Sequence, residues 1–343
     1  MRKNIALTWG STGGHIFPLL SLYNFLKDDP NYNFFWVWEE SSLEEELAKK
    51  NRIPFFPISA GKIRRYFDVR NFYEPLKNIS WVTQAISFIL KNKINAVVSK
   101  WWYVSIPLCI AAKILGKPIF IHESDRVTGI SNRLISKLAT KIFYTFPNSN
   151  IDEKKHILIG QILNPEMIDY LEDVEVKEND RLCVMVIWGS QWSTRIFEAM
   201  LKILPDFEEV EFQIILWEKN MHFRERFKPF PNVIAHDFVT QKRLWKIYKN
   251  IDIAISRGGA TSLWELYYFW IHTIIIPLSH SAGNHQYYNA EYFHENFWSD
   301  IVEEGENLET ELYRLLNKYK DLRKSGLNLD DFFTPLNELK KYI

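Results

Sequence analysis

The chain alternates short apolar runs with longer amphipathic stretches, and it does so in two successive series. In the first series "NIALTW", "NFFWVW", "IPFFPIS", "NAVVSK", "KPIFIHE" and "KIFYTF" read as strands, and segments such as "PLLSLYNFLK" and "WVTQAISFILKN" carry helical spacing. The pattern restarts with "RLCVMVIW", "EFQIILW", "NVIAHDF", "IDIAISR" and "HTIIIP". Strands that are apolar along their whole length, separated by helices, imply a parallel sheet covered on both faces. A length of 343 residues suits two domains. The expected fold class is α/β, with two doubly wound Rossmann-like domains and a cleft between them, because such sheets offer ligand sites at the carboxyl ends of their strands. The expected boundaries are 1–150 for the N-terminal domain, 151–180 for a linker with Pro165 and the acidic run 172–178, and 181–324 for the C-terminal domain.

Several function classes are disfavoured. Cys109 and Cys183 both sit in apolar runs, so no disulfide framework is expected and a reducing compartment fits. Lys and Arg number 42, as do Asp and Glu, which argues against a general nucleic-acid binder. The N-terminus enters a strand-like run with no secretory h-region, and no run approaches the ~18 apolar residues of a membrane span. The expectation is a soluble or peripheral protein. The charge is uneven, however. Residues 61–102 hold eight basic side chains against Asp68 and Glu74, and "GKIRRYFDVRNFY" interleaves basic with aromatic residues. That pattern suits either a solvated loop or a surface facing anionic lipid.

Five stretches carry chemistry. "GSTGGHIFP" follows a strand and opens a helix; Gly13 and Gly14 permit close backbone approach, and a helix start offers N–H groups to an anion. His15 adds a titratable group there. "IHESDRVTGISNR" places Glu123 and Asp125 just past a strand end, where Ser124 or Asp125 would equally serve as a helix cap. "WGSQWSTR" offers Ser190 and Gln191 to a phosphate or sugar hydroxyls. "SRGGATSLWEL" is the sharpest: Thr261 and Ser262 open a helix after Gly258-Gly259, with Glu265 one turn on. A diphosphate at the helix start and a ribose diol on the carboxylate would fit, and so would a capping box between Ser262 and Glu265. "HSAGNHQYYNA" offers Asn284, His285 and Gln286; its histidine spacing is poor for a metal. No Asp-x-Asp occurs, which disfavours a metal-held sugar nucleotide.

These stretches, in this order, resemble glycosyltransferase family 28, through "STGGHIFP", "YVSIP", "HESDRVTGISNR", "GSQ", "RGGATSLWE" and "HQYYNA" over roughly residues 3–300. The resemblance implies a GT-B fold, with a C-terminal helix near 325–343 returning to the first domain. It implies an inverting hexosyl transfer with no cofactor or metal. N-acetylglucosamine would pass from UDP to the 4-hydroxyl of undecaprenyl-diphospho-N-acetylmuramoyl-pentapeptide, converting lipid I to lipid II in peptidoglycan synthesis. By the same resemblance His15 is the candidate base, Thr12, Gly13 and Gly14 lie near the acceptor diphosphate, and Asp125 replaces an acceptor-side Asn. Ser190 would meet the donor phosphate and Val239 would flank uracil. Ala260, Thr261, Ser262, Leu263, Trp264 and Glu265 would hold diphosphate and ribose, and His285 and Gln286 the sugar hydroxyls. The family's usual Arg in the segment after Gly160 is Asn164 here, so one donor contact is altered. The implied partners are UDP-N-acetylglucosamine, the lipid-linked acceptor and an anionic membrane surface met through about 61–102. The implied place is the cytoplasmic face of the cell membrane.

Glycine and tryptophan each number 13, whereas glycine ordinarily makes up about 7% of a chain. Trp9, Trp38, Trp101, Trp102, Trp188, Trp192, Trp217 and Trp270 stand where the resembled family has glycine. A gene that uses UGA for glycine, translated with UGA as tryptophan, gives this pattern. Genuine tryptophans would instead crowd the phosphate loops and suit a non-catalytic binding protein on the same scaffold. Another UDP-sugar-dependent lipid glycosyltransferase is the alternative within enzymes.

Overall fold

A computed structural model describes residues 2–9, 13–38, 45, 48–49, 51–58, 70–100, 105–128, 135–147, 154–172, 181–187, 194–237, 239–324 and 332–343. The chain divides into two compact units, Met1–Pro165 with Phe333–Ile343, and Glu166–Phe332.

The first unit holds strands β1 (Lys3–Trp9), β2 (Tyr32–Trp38), β3 (Phe55–Pro57), β4 (Ala96–Lys100), β5 (Ile119–Glu123), β6 (Lys141–Tyr144) and β7 (His156–Leu158). They form one parallel sheet in the order β3-β2-β1-β4-β5-β6-β7. Every residue of β4 and β5 is buried, because helices cover both faces. On one face Leu19, Leu22 and Leu26 of α1 (Gly13–Leu26) join Leu336 and Leu339 of the C-terminal helix Thr334–Lys340 against Ile5, Leu7 and Val98. The other face takes α2 (Arg70–Lys91) and α3 (Ser105–Ile114) through Ala85, Phe88, Leu108 and Ala112. Each fully buried Leu or Phe contributes about 1.5–3 kcal/mol of transfer free energy.

The second unit repeats the plan with β8 (Cys183–Ile187), β9 (Glu211–Ile215), β10 (Val233–His236), β11 (Ile253–Ser256), β12 (His272–Ile275) and β13 (Ser299–Ile301), parallel in the order β10-β9-β8-β11-β12-β13. Its helices are α4 (Ile168–Glu172), α5 (Thr194–Ile203), α6 (Phe223–Phe227), α7 (Gln241–Tyr248), α8 (Ala260–Tyr268), α9 (His285–Asn296) and α10 (Leu308–Lys318). Helix α5 shows why the pattern was readable: Ile196, Phe197, Met200 and Ile203 fall on one face and all are buried.

Two strands depart from the sequence reading. β7 lies inside the stretch read as linker, and β13 lies in "FWSDI", which was not read as a strand. Both are three-residue outer strands, too short to show a period. The capping box that the spacing of Ser262 and Glu265 left open is absent. Gly259 is the N-cap of α8 with no side-chain cap bond, so Ser262 sits inside the helix rather than ahead of it.

Each sheet reverses its order once, between β1 and β4 in the first unit and between β8 and β11 in the second. In open α/β sheets ligands bind at such reversals, beyond the carboxyl ends of the strands. Those two ends carry the candidate residues.

Candidate functional site

In the second unit, β11 ends at Ser256 and the chain passes through Arg257, Gly258 and Gly259 into α8. Gly258 admits no side chain: a Cβ there would lie 2.2 Å from the Gln286 carbonyl oxygen. The buried Asn289 donates from Nδ2 to the Gly258 carbonyl at 3.0 Å, so α9 clamps this turn. Arg257 is buried and donates to Glu304 at 2.8 Å and to the Ile276 carbonyl at 3.1 Å, which anchors the turn from the other side. The result is a rigid strand-to-helix turn whose first helical residues are Ala260, Thr261 and Ser262. A helix start directs its first N–H groups and the positive end of its dipole outward, which suits an anion.

One turn further, Glu265 is buried and its Oε1 accepts from Gln241 Nε2 at 3.0 Å. Burial pushes its carboxyl up to about 7, and the neighbouring Gln241 and Trp245 side chains hold it back from rising further. Gln241 opens α7, whose N-cap Thr240 accepts from the Arg243 N–H at 3.4 Å. Val239 is buried immediately before that cap. The structure thus brings Gln241 and Glu265 together from two helices, with Val239 just ahead of the first in the chain. Gln241 was missed in the sequence; its only signal there is its place two residues after Val239.

The remaining donor-side residues divide. His285 and Gln286 open α9, and the Gln286 side-chain oxygen accepts from the Leu278 N–H at 3.0 Å, which leaves its amide N–H groups to meet a ligand. Leu263 is buried, and Trp264 packs edge-on against Tyr267, Phe293 and Phe297. The Leu263 N–H is used within the helix, donating to the Gly259 carbonyl at 3.0 Å. Ser190, like Trp188 and Trp192, lies outside the described residues. Asn164 is buried in the first unit, one residue before the division.

In the first unit, Gly13, Gly14 and His15 form the first turn of α1 directly after β1, and Thr12 lies outside the described residues. The carboxyl ends of β4, β5 and β6 carry a polar cluster that the sequence reading did not assemble. The ring of the buried His122 lies 3.3 Å from both the Thr145 hydroxyl and the Gly160 carbonyl. Ser124 and Thr145 both donate to Gln161 Oε1, at 3.1 and 2.9 Å. Ser124 is therefore committed to Gln161 rather than to a helix cap. Burial, reinforced by the positive charge of Lys100, pushes His122 down to about 3, so it is neutral and structural. Lys100 itself is buried, and burial pushes its amine down to about 7 against the opposing pull of Asp125 and Glu123. The half-buried Asp125 donates its main-chain N–H to Glu123 Oε1 at 3.3 Å. Among the described residues no group of three or more His, Cys, Asp or Glu could hold a metal ion, and no helix is long and apolar enough to cross a membrane.

Comparison with known proteins shows the family and the fold. Residues 5–144 match the glycosyltransferase family 28 N-terminal domain and residues 183–330 its C-terminal domain. A UDP-N-acetylglucosamine–N-acetylmuramyl-(pentapeptide) pyrophosphoryl-undecaprenol N-acetylglucosamine transferase of Clostridium kluyveri is 33% identical, with 94% of this chain and 92% of that protein covered. The protein of the same name from Clostridium botulinum is 32% identical, with 99% of both covered. Among solved structures, Acinetobacter baumannii MurG superposes with a TM-score of 0.75 at 21% identity, covering 99% of each chain. A UDP-GlcNAc 2-epimerase of Neisseria meningitidis bound to UDP-GlcNAc gives 0.69 at 11% identity, covering 99% of this chain and 98% of that one. These two likenesses show the fold.

Proposed function

The chain belongs to glycosyltransferase family 28, and from that premise we infer that it is a hexosyltransferase moving N-acetylglucosamine from UDP-N-acetylglucosamine to the 4-hydroxyl of undecaprenyl-diphospho-N-acetylmuramoyl-pentapeptide. The observation that carries this reading is the clamped turn at Gly258-Gly259, which opens α8 beside the buried Glu265 in a chain related along its length to transferases of that name.

The chemistry assigned to each residue follows from what the transfer needs. The ribose diol would donate to Glu265, while the uracil ring lies against Val239. The diphosphate would sit at the start of α8, near Thr261 and Ser262, where the helix end meets the negative charge that grows on UDP as it leaves. Ser190 would add a hydroxyl to the same phosphates, and the amide of Gln286 with His285 would hold the sugar. The acceptor hydroxyl becomes a competent nucleophile when a base removes its proton, and His15 suits that role near neutral pH. Attack opposite the departing UDP inverts the anomeric carbon. No residue of the set is assigned to a metal. Charge compensation by a helix start and hydroxyl donors fits metal-independent transfer. We place the enzyme on the cytoplasmic face of the membrane, where a lipid-linked acceptor is met.

The test is transfer of labelled N-acetylglucosamine from UDP to a short-chain analogue of the lipid acceptor. It is run on the chain as it stands and on a form with glycine at positions 9, 101, 102, 188 and 192. Transfer is expected, and it should be faster in the glycine form, because a rigid indole keeps a phosphate from the ~2.7–3.2 Å at which loop N–H groups bond it. No transfer by either form overturns the reading. Full activity of the chain as it stands shows the tryptophans to be native.

A further inference from the structure

Gln161 is buried just past the end of β7, and its side-chain oxygen joins the ends of two other strands. Oε1 accepts from the Thr145 hydroxyl at 2.9 Å and from the Ser124 hydroxyl at 3.1 Å. Thr145 is the residue after β6, and Ser124 the residue after β5. Gly160, one residue ahead of Gln161, takes φ of +89°, a conformation that glycine adopts freely. Its carbonyl lies 3.3 Å from His122 Nε2 and 3.4 Å from the Thr145 hydroxyl. A carbonyl only accepts, so the neutral His122 carries its proton on Nε2 and offers Nδ1 as an acceptor, 3.5 Å from the Ser124 hydroxyl. His122, Ser124, Thr145 and Gln161 are all buried. A buried hydroxyl left without an acceptor is costly, so both hydroxyls are held to the one amide oxygen. A satisfied buried network of this kind fixes the chain around it. Of the two strand ends that it ties, only that of β5 runs on into a candidate site residue, since Ser124 is followed by Asp125.

We propose that Gln161 is a positioning residue for the acceptor: through the Ser124 hydroxyl it sets the direction in which the chain leaves β5, and with it the place of Asp125. Gln161 is too enclosed to touch the acceptor and acts through Ser124. Asp125 is half-buried, and its main-chain N–H donates to Glu123 Oε1 at 3.3 Å, so its backbone is held on both sides of the peptide that follows Ser124. Its partner is a hydroxyl or amide donor of the acceptor sugar or its peptide, which a carboxylate accepts. The Thr145 arm of the network secures the end of β6 and has no chain continuity with Asp125. The inference rests on the proposed transfer, because it takes Asp125 to lie on the acceptor side.

The experiment uses Gln161→Met, Gln161→Glu, Ser124→Ala, Thr145→Val and the double variant Gln161→Met/Ser124→Ala in the form of the chain that carries out transfer. Gln161→Met removes the shared oxygen at nearly constant length. It should lower kcat/KM for the acceptor up to about 10²-fold, chiefly as a rise in acceptor KM, with UDP-N-acetylglucosamine affinity unchanged. Ser124→Ala should act in the same direction, and the double variant should be no worse than Gln161→Met, since both cut one route. Gln161→Glu keeps an accepting oxygen in place and should retain most of the parent's activity. Thr145→Val takes a hydroxyl from the same oxygen on the β6 side. It should lower the Tm about as much as Ser124→Ala does and leave acceptor kcat/KM within about threefold of the parent. Ser124→Ala deletes a single oxygen, so it serves even where Gln161→Met fails to fold. Acceptor kcat/KM within about twofold of the parent in Ser124→Ala overturns the proposal. So does a loss in Thr145→Val as large as in Ser124→Ala, which makes the network structural only, and so does full additivity in the double variant. Absence of transfer by the parent itself overturns the functional reading, and this inference with it.

Discussion

Glu265 is the residue whose chemistry is most exposed to test. Its carboxyl titrates near 7 in the folded chain because burial disfavours the anion, against an ordinary value of 4.5. Between those two values the folded state holds a proton that the unfolded chain has released. Its contribution to stability therefore falls as pH rises from about 4.5 through about 7. Donor binding runs the other way, because only the carboxylate accepts from both ribose hydroxyls. UDP affinity is expected to rise with pH across that window while resistance to urea falls. Glu265→Gln should flatten the stability trend, and Glu265→Ala should weaken UDP binding by roughly 1.5–3 kcal/mol, as loss of a charge-assisted hydrogen bond does. Calorimetric titration with UDP at several pH values reads both effects, and pH-independent affinity with a normal Glu265→Ala variant would remove the ribose assignment. The sequence showed Glu265 by its spacing from Gly258-Gly259. It did not show that Lys100 is buried, because a lone lysine after "NAVVS" counts only toward a basic stretch until the sheet encloses it.

The end of α8 bears on the tryptophans. The Ile271 N–H bonds the Leu266 carbonyl at 3.0 Å and the Trp270 N–H bonds the Tyr267 carbonyl at 2.9 Å, which is the Schellman pattern that closes a helix on a left-handed residue. That residue is Trp270, with φ of +55° and its side chain on the surface. Glycine adopts this conformation freely, and a side chain there costs about 1–2 kcal/mol. Trp38 differs: it is buried at the end of an extended strand, where the backbone makes no demand for glycine. Trp270→Gly is therefore expected to stabilise the chain by about 1 kcal/mol, a rise of roughly 2–4 °C in the Tm of a domain this size. An unchanged or lower Tm would show that Trp270 is at home in its turn. Strand and helix types were legible wherever an apolar run was long enough to display a period. The three-residue strands β7 and β13 fell below that length and take their place from the neighbouring strand instead.

The two units carry one fold plan, and the basic stretch 61–102 falls in the first of them. The series of strands and helices made both doubly wound sheets legible, whereas burial of single side chains was not, since it depends on which faces the crossovers cover. In the first unit α2 and α3 end in exposed apolar side chains, Leu90 at 60% and Ile114 at 62% exposure. Exposed lysines Lys91, Lys93 and Lys113 lie close to them in the chain. Exposed apolar side chains next to lysines in the chain would suit an anionic lipid surface, where the former enter the headgroup boundary and the latter meet the charge. Arg64 and Arg65 fall outside the described residues, and Arg70 begins α2 at the end opposite Leu90. Reversing the charge of Arg64, Arg65 and Arg70 should weaken binding to vesicles of anionic lipid by about 1 kcal/mol per residue. Leu90→Ser with Ile114→Ser should weaken it further at high salt, where the electrostatic part is screened. Sedimentation with vesicles at low and high salt separates the two contributions. A parent that fails to sediment with anionic vesicles, or variants that sediment equally with it, would remove the membrane-surface assignment for this unit.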